Sequence, residues 1–93
     1  MRARRIDSNQ NLIVKQLRIM GVSVYVSSML GKGFPDLVLG IRGVNYLIEL
    51  KDGSKVKSAK KLTKDEQVFF DTWKGGVYKC ENLDEILNVI GFK

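Results

Sequence analysis

The residues with the clearest chemical potential form two short motifs, Phe34-Pro35-Asp36 and Ile48-Glu49-Leu50-Lys51. They supply two carboxylates and one ammonium group, and a strand pair that brings them together would hold a divalent cation against a phosphate. The chain contains no histidine and only one cysteine, so most other hydrolytic and metal-binding sites lack their usual residues. The two motifs therefore predict a metal site made of oxygen ligands.

A β-hairpin between the motifs would position these groups, and its register decides whether the carboxylates meet. A two-residue turn at Gly43-Val44 predicts that Asp36 lies opposite Lys51. Glu49 would then be a diagonal neighbour of Asp36, roughly 7 to 8 Å away at the backbone. All three side chains would share one face of the sheet, whereas a shift of one residue would separate them.

Carboxylates at this separation repel each other, and a cation relieves that cost. An all-oxygen site favours Mg²⁺ or Mn²⁺ over zinc, with a polarised water near Lys51 as the expected nucleophile and the Lys51 ammonium offsetting charge on the phosphorane. On spacing alone a second interpretation has equal weight. Asp36 would cap a turn after Pro35, and Glu49 and Lys51 would be solvent-facing residues of an edge strand.

The rest of the chain predicts the element order αβββαβα within one domain spanning residues 1–93. A chain of this size buries a modest fraction of its surface, so dimerisation would help its stability. The expected elements are a helix capped by Ser8 with apolar residues Leu12, Ile13, Leu17, Ile19 and Met20, a strand at 22–26, hairpin strands at 37–41 and 46–50, an exposed loop at 52–61, a helix opened by a Thr63/Glu66 capping box, a strand at 77–80 and a helix capped by Asn82.

The formal charge of +6, from 16 Lys and Arg against 10 Asp and Glu, favours polyanionic partners, with nucleic acid first among them. The candidate phosphate-contacting residues are Lys32, Lys55, Lys57, Lys60, Lys61 and Lys64, for which the alternative is a solvated surface. Cys80 has no intramolecular disulfide partner and is predicted to be a small buried residue in a reducing compartment. The sequence shows no signal peptide and no membrane span, so we expect a cytoplasmic protein without membrane association.

These motifs, in this order, resemble the PD-(D/E)xK nuclease superfamily and, within it, the small stand-alone VRR-NUC nucleases of phages and bacteria. The resemblance covers nearly the whole chain. Beyond Pro35-Asp36 and Glu49-Leu50-Lys51, it includes Asp7-Ser8-Asn9-Gln10, Gly31-Lys32-Gly33, Arg42-Gly43, Asn45-Tyr46, Lys51-Asp52-Gly53-Ser54, Leu62-Thr63 and Gln67. It implies an α/β, restriction-endonuclease-like αβββαβ core with a central mixed sheet flanked by helices.

The resemblance also implies a function, namely metal-dependent cleavage of DNA. Asp36, Glu49 and the backbone carbonyl of Leu50 would bind Mg²⁺ or Mn²⁺, and Lys51 would be the catalytic lysine. Gln67 would lie near the site and hydrogen-bond the attacking water or a phosphate oxygen, although an exposed helix residue is the alternative. The resemblance is to stand-alone members that look like dimers acting on branched DNA such as four-way junctions. It therefore implies a homodimer here.

One departure from the family pattern concerns the first helix. The family usually carries a glutamate soon after the Asn-Gln pair, and that position aligns with Leu12. Magnesium accepts waters in place of a missing carboxylate, so we expect weaker binding rather than none. Gln10 is the nearest polar substitute, although a solvated residue is the more common outcome there. Two alternatives follow, a non-catalytic module that binds DNA junctions on a nuclease fold and a basic structural or RNA-binding domain.

Overall fold

The computed structural model describes residues 8–53 and 55–92, and of Ser8 it describes only the backbone. Asp7 and Ser54, and the predicted cap by the Ser8 side chain, therefore lie outside the described part. The helices and strands follow the predicted order. They are α1 (Ser8–Ile19), β1 (Ser23–Val26), β2 (Leu37–Ile41), β3 (Val44–Leu50), α2 (Lys64–Thr72), β4 (Val77–Cys80) and α3 (Leu83–Val89).

The four strands form one mixed sheet with the order β1-β2-β3-β4. The first three strands are antiparallel, and β4 pairs with β3 in parallel. A parallel pair needs a crossover between its strands, and the segment that contains α2 supplies it. The prediction of an α/β fold with a central mixed sheet flanked by helices is confirmed. Because β3 lies between β2 and β4, Glu49 belongs to a central strand, and the edge-strand interpretation is wrong.

The predicted hairpin register is wrong by two residues. Ile41 pairs with Val44, so the turn residues are Arg42 and Gly43, with φ of 52° and 76°. Positive φ at both positions defines the tight turn whose twist suits a hairpin best. A shift of two residues preserves the face of every side chain. Asp36, Glu49 and Lys51 therefore share one face of the sheet in either register.

The hydrophobic core lies between the sheet and helices α1 and α3. Its buried members are Ile13, Val14, Leu17, Val22, Leu37, Leu39, Ile48, Cys80, Ile86, Leu87 and Ile90. The predicted apolar stripe of α1 is correct at two positions, Ile13 and Leu17, but Leu12, Ile19 and Met20 are exposed. The core face instead follows the helical repeat that contains Val14. Cys80 is buried as predicted, and burial raises the pKa of its thiol to about 11.

Helix α2 is peripheral and begins with the predicted capping box. The Thr63 hydroxyl accepts from Glu66 N, and the Glu66 carboxylate accepts from Thr63 N. None of the α2 residues is buried, and Val68 and Trp73 are exposed. The loop predicted at 52–61 contains one short 3-10 helix, Lys57–Lys60. Across residues 8–53 and 55–92, the structure has no helix with the length and apolar character required to cross a membrane.

Candidate active site

An open cavity of about 350 Å³ lies where the motif before β2 meets the end of β3. It collects polar side chains from α1, from both motifs and from the start of α2. The lining residues are Gln10, Ser28, Asp36, Glu49, Leu50, Lys51, Asp52, Lys55, Ala59 and Glu66. The structure therefore brings together Asp36, Glu49, Leu50 and Lys51, as the motif spacing predicts.

Asp36 is oriented by the backbone of the neighbouring strand. It lies directly before β2, and its Oδ2 accepts a hydrogen bond of 2.9 Å from Leu50 N. Lys51 N, the next amide along, donates in the opposite direction to Cys80 O of β4. The pairing of β2 with β3 ends at Leu37 and Ile48, so Asp36 and Glu49 each lie one residue beyond the last pair. The two carboxylates are near enough for the charge of Asp36 to raise the pKa of Glu49.

Glu49 is a buried carboxylic acid, with 3% of its surface exposed. Burial, followed by the charges of Asp36 and Glu66, raises the pKa of Glu49 to about 9, and the nearby Lys51 ammonium offsets only part of this. A carboxylate at this position carries a large free-energy cost in its ionised form. An additional positive charge in the cavity would therefore stabilise the ionised form of Glu49.

Lys51 contacts two carboxylates from different elements. Its Nζ lies 2.8 Å from Glu66 Oε1 and 3.6 Å from Glu49 Oε2. Burial lowers the pKa of Lys51, but the hydrogen bond and charge of Glu66 and the charges of Glu49 and Asp36 outweigh burial and leave it above its usual value. Burial acts to raise the Glu66 pKa, and the hydrogen bonds from Lys51 and Thr63 more than reverse this. Lys51 is therefore the cation of the pair, with Glu66 as its principal anion.

The first helix contributes Gln10 to the cavity and turns Leu12 away from it. Gln10 is 5% exposed, and its Nε2 donates to Ser28 Oγ at 3.4 Å. Leu12 is 55% exposed, so a carboxylate at that position would face solvent. The expectation that Gln10 is solvated is wrong. Gln10 lies one helical turn before Ile13 and Val14 and two turns before Leu17, and this spacing is the sequence signal that identifies it as inward-facing.

Gln67 does not reach the cavity. Its side chain is exposed and donates to Asp71 Oδ1 at 2.9 Å along α2. The neighbouring residue, Glu66, is the one that α2 directs at Lys51, because successive helix positions point about 100° apart. The sequence predicts Glu66 only as part of the capping box, and no signal in its sequence position reveals the second contact.

The candidate DNA-contacting lysines differ in their surroundings. Lys32, Lys55, Lys57, Lys61 and Lys64 are exposed, and Lys55 lines the cavity. Lys60 is partly buried and pairs with Glu81 at 3.4 Å, while its carbonyl accepts from Lys79 Nζ. Lys60 therefore attaches the loop to the end of β4, and the exposed lysines remain accessible to a polyanion.

The donor set of the cavity suits a hard divalent cation. Asp36 and Glu49 both line the cavity and offer carboxylate oxygens, and Leu50 lies between Glu49 and Lys51 with its carbonyl as a further candidate donor. Within the described ranges, no three His, Cys, Asp or Glu side chains form a group arranged to hold a metal ion. Magnesium and manganese tolerate such a short ligand set because they retain several waters.

The fold and the cavity together define an α/β protein with paired carboxylates and a lysine at the end of its central strands. The chain is similar to a solved structure described as a VRR_NUC domain, with a TM-score of 0.56 and 23% sequence identity over 88% of this chain and 89% of that chain. Neither a family model nor a curated protein matches the sequence. The structural likeness establishes that this chain shares the fold of that VRR_NUC domain.

Proposed function

We propose that this chain is a divalent-metal-dependent endonuclease that hydrolyses phosphodiester bonds in DNA. The observation that supports this most strongly is the buried Glu49 carboxylate beside Asp36, with Lys51 in the same cavity. Ionising a buried carboxylate costs free energy, and a fold retains such a residue most readily where a bound cation offsets that cost during function. The likeness in fold to a VRR_NUC domain also supports the proposal of a nuclease.

Asp36, Glu49 and the Leu50 carbonyl would hold Mg²⁺ or Mn²⁺. When bound, the cation supplies Lewis acidity toward a phosphate oxygen and makes water more acidic. The protein's own part is positional. The Leu50 amide orients Asp36, and the end of β3 brings Glu49 into the same cavity. The Lys51 ammonium, within reach of Glu49, balances the negative charge that develops on the phosphate during attack.

The exposed lysines around the cavity supply contacts to the DNA backbone. Lys55 lines the cavity itself, and no ion pair within the described residues engages Lys57, Lys61 or Lys64. Release of counterions from the backbone then gives affinity without sequence preference. Lys60 contributes less, because Glu81 already neutralises it.

Branched DNA, such as a four-way junction, and a homodimer complete the proposal. Both rest on the resemblance described above. The peripheral helix α2 supports the dimer, because it exposes Val68, its C-cap residue Trp73 is exposed as well, and it has no buried residue within one chain. Pairing of two copies through this helix would remove apolar surface from water.

A second candidate is a non-catalytic module that binds DNA junctions on the same fold. One observation favours it, since the α1 residue in the cavity is the amide Gln10 rather than a carboxylate. An amide weakens the cavity's attraction for a cation, so that binding of DNA would survive without cleavage.

Cleavage of a labelled four-way junction and a matched linear duplex separates the candidates. The reactions contain Mn²⁺, Mg²⁺ or chelator, with wild type, Lys51→Ala and the control Lys74→Ala, which removes a lysine that does not line the cavity. The nuclease proposal predicts metal-dependent cutting by wild type and Lys74→Ala, with a loss of at least about 100-fold in Lys51→Ala. Junction binding with no cutting under any metal would refute it in favour of the binding module, and equal cutting of both substrates would refute the branched preference.

A further inference from the structure

Glu66 joins the cavity to the N-terminus of α2 through a single oxygen. Its Oε1 accepts a hydrogen bond of 2.8 Å from Lys51 Nζ and another of 2.8 Å from Thr63 N. The side chains of Lys51 and Glu66 are 14% and 12% exposed, so water screens their interaction little. The capping box and the cavity therefore share a residue.

We propose that Glu66 is the positioning residue for Lys51, an inference that rests on the proposed nuclease function. A lysine side chain has many rotamers, and a flexible ammonium samples positions that do not serve catalysis. Glu66 removes this freedom because its own carboxylate is already held by the Thr63 amide. The same oxygen then draws the Lys51 ammonium to one place, 3.6 Å from Glu49 Oε2.

The loop that leads into the Asp36 motif holds the first turn of α2 in place. A Cβ atom on Gly33 would lie 2.3 Å from Asp65 O, with φ at 82°, so only glycine allows this approach. Directly after it, the Phe34 ring packs edge-on against Phe69 with centroids 5.3 Å apart. One packed unit thus sets the Asp36 motif and, through Glu66, the Lys51 ammonium.

Three variants distinguish positioning from support of the helix. Glu66→Ala removes the hydrogen bonds of the carboxylate with Lys51 and Thr63, together with the one that it shares with Glu49. Thr63→Ala removes the opposite half of the capping box, in which the Thr63 hydroxyl accepts from Glu66 N, and keeps the contact with Lys51. Glu66→Gln retains an oxygen at the same reach that accepts from both donors, and glutamine is a normal partner in a capping box.

The first measurement is steady-state cleavage of the DNA substrate. Glu66→Ala is expected to lower kcat by about tenfold or more while KM for DNA changes by less than about twofold. Thr63→Ala is expected to keep kcat within about twofold of wild type, and Glu66→Gln within about threefold. Equal losses in Glu66→Ala and Thr63→Ala would show a merely structural role, and a Glu66→Gln enzyme as slow as Glu66→Ala would show that charge rather than position matters. Either result overturns the proposal.

The second measurement does not depend on cleavage. Reductive methylation followed by mass spectrometry reports how fast the Lys51 amine reacts, with exposed Lys64 as the internal reference. The proposal predicts that Glu66→Ala speeds Lys51 modification by about threefold or more and that Thr63→Ala does not, because only the first frees the amine. An unchanged Lys51 rate in Glu66→Ala would overturn the contact. A wild type that never cuts DNA would refute the proposed function, and the labelling result would still decide the role of Glu66.

Discussion

The buried acid Glu49 predicts that the metal-free protein loses stability as pH rises. The pKa of Glu49 is about 9 in the fold against 4.5 for the free residue. Between these values the folded state binds a proton that the unfolded state has released. This contribution is complete below about pH 4.5 and disappears as pH rises through about 9. Its slope is at most about 1.4 kcal/mol per pH unit, so the loss between about pH 6 and pH 8 is on the order of a few kcal/mol.

Glu49→Gln removes this proton uptake while keeping the size of the side chain. Urea unfolding in chelator, at several pH values from about 6 to 8, gives the free energy of unfolding for both proteins. We expect the wild type to lose stability relative to Glu49→Gln across this range. Parallel pH dependences in the two proteins would show that Glu49 is ionised in the metal-free fold, and the charge argument for the cavity would fail.

Two further predictions test the elements that surround the cavity. Gln10→Glu adds a third carboxylate to the lining and is expected to tighten Mn²⁺ binding by about tenfold in calorimetry, whereas Leu12→Glu, on the exposed side of α1, is expected to change it little; equal effects would contradict the placement of α1. A Cβ atom added by Gly33→Ala would meet the α2 backbone, whereas one added by Gly31→Ala, also at positive φ, would meet nothing within 4 Å. In urea unfolding, the Gly33→Ala variant is therefore expected to be less stable than the Gly31→Ala variant by at least about 1 kcal/mol. Equal losses would show that the loop does not support α2.

The order of helices and strands followed from local patterns. Leu37 to Ile41 is an apolar run, and Val77 to Cys80 is a short β-prone stretch that follows Gly75-Gly76. The Thr63/Glu66 box marks a helix start without reference to the rest of the chain. Local sequence does not determine the hairpin register, because a two-residue turn with glycine first and one with glycine second both fit the sequence near Gly43. Arg42 accepts a left-handed conformation there, and its guanidinium donates to Ile90 O, a contact between distant residues.

The candidate site was predictable where it depended on strand alternation. Asp36, Glu49 and Lys51 meet because their spacing sets them on one face, and a register error of two residues preserves that relation. The helical contributions depended on tertiary packing. Gln67 and Glu66 are adjacent in sequence, and only the rotation of α2 over the sheet decides which of them meets Lys51. The family alignment to Leu12 likewise gave no information on which side of α1 faces the cavity.

The most direct test of the central claim, that Asp36 and Glu49 together hold a divalent cation, is anomalous X-ray diffraction from crystals grown with Mn²⁺. We expect an anomalous peak between the two carboxylates in wild type and its loss in Asp36→Asn. A wild-type map with no peak in this cavity, or with manganese bound only elsewhere, would contradict it.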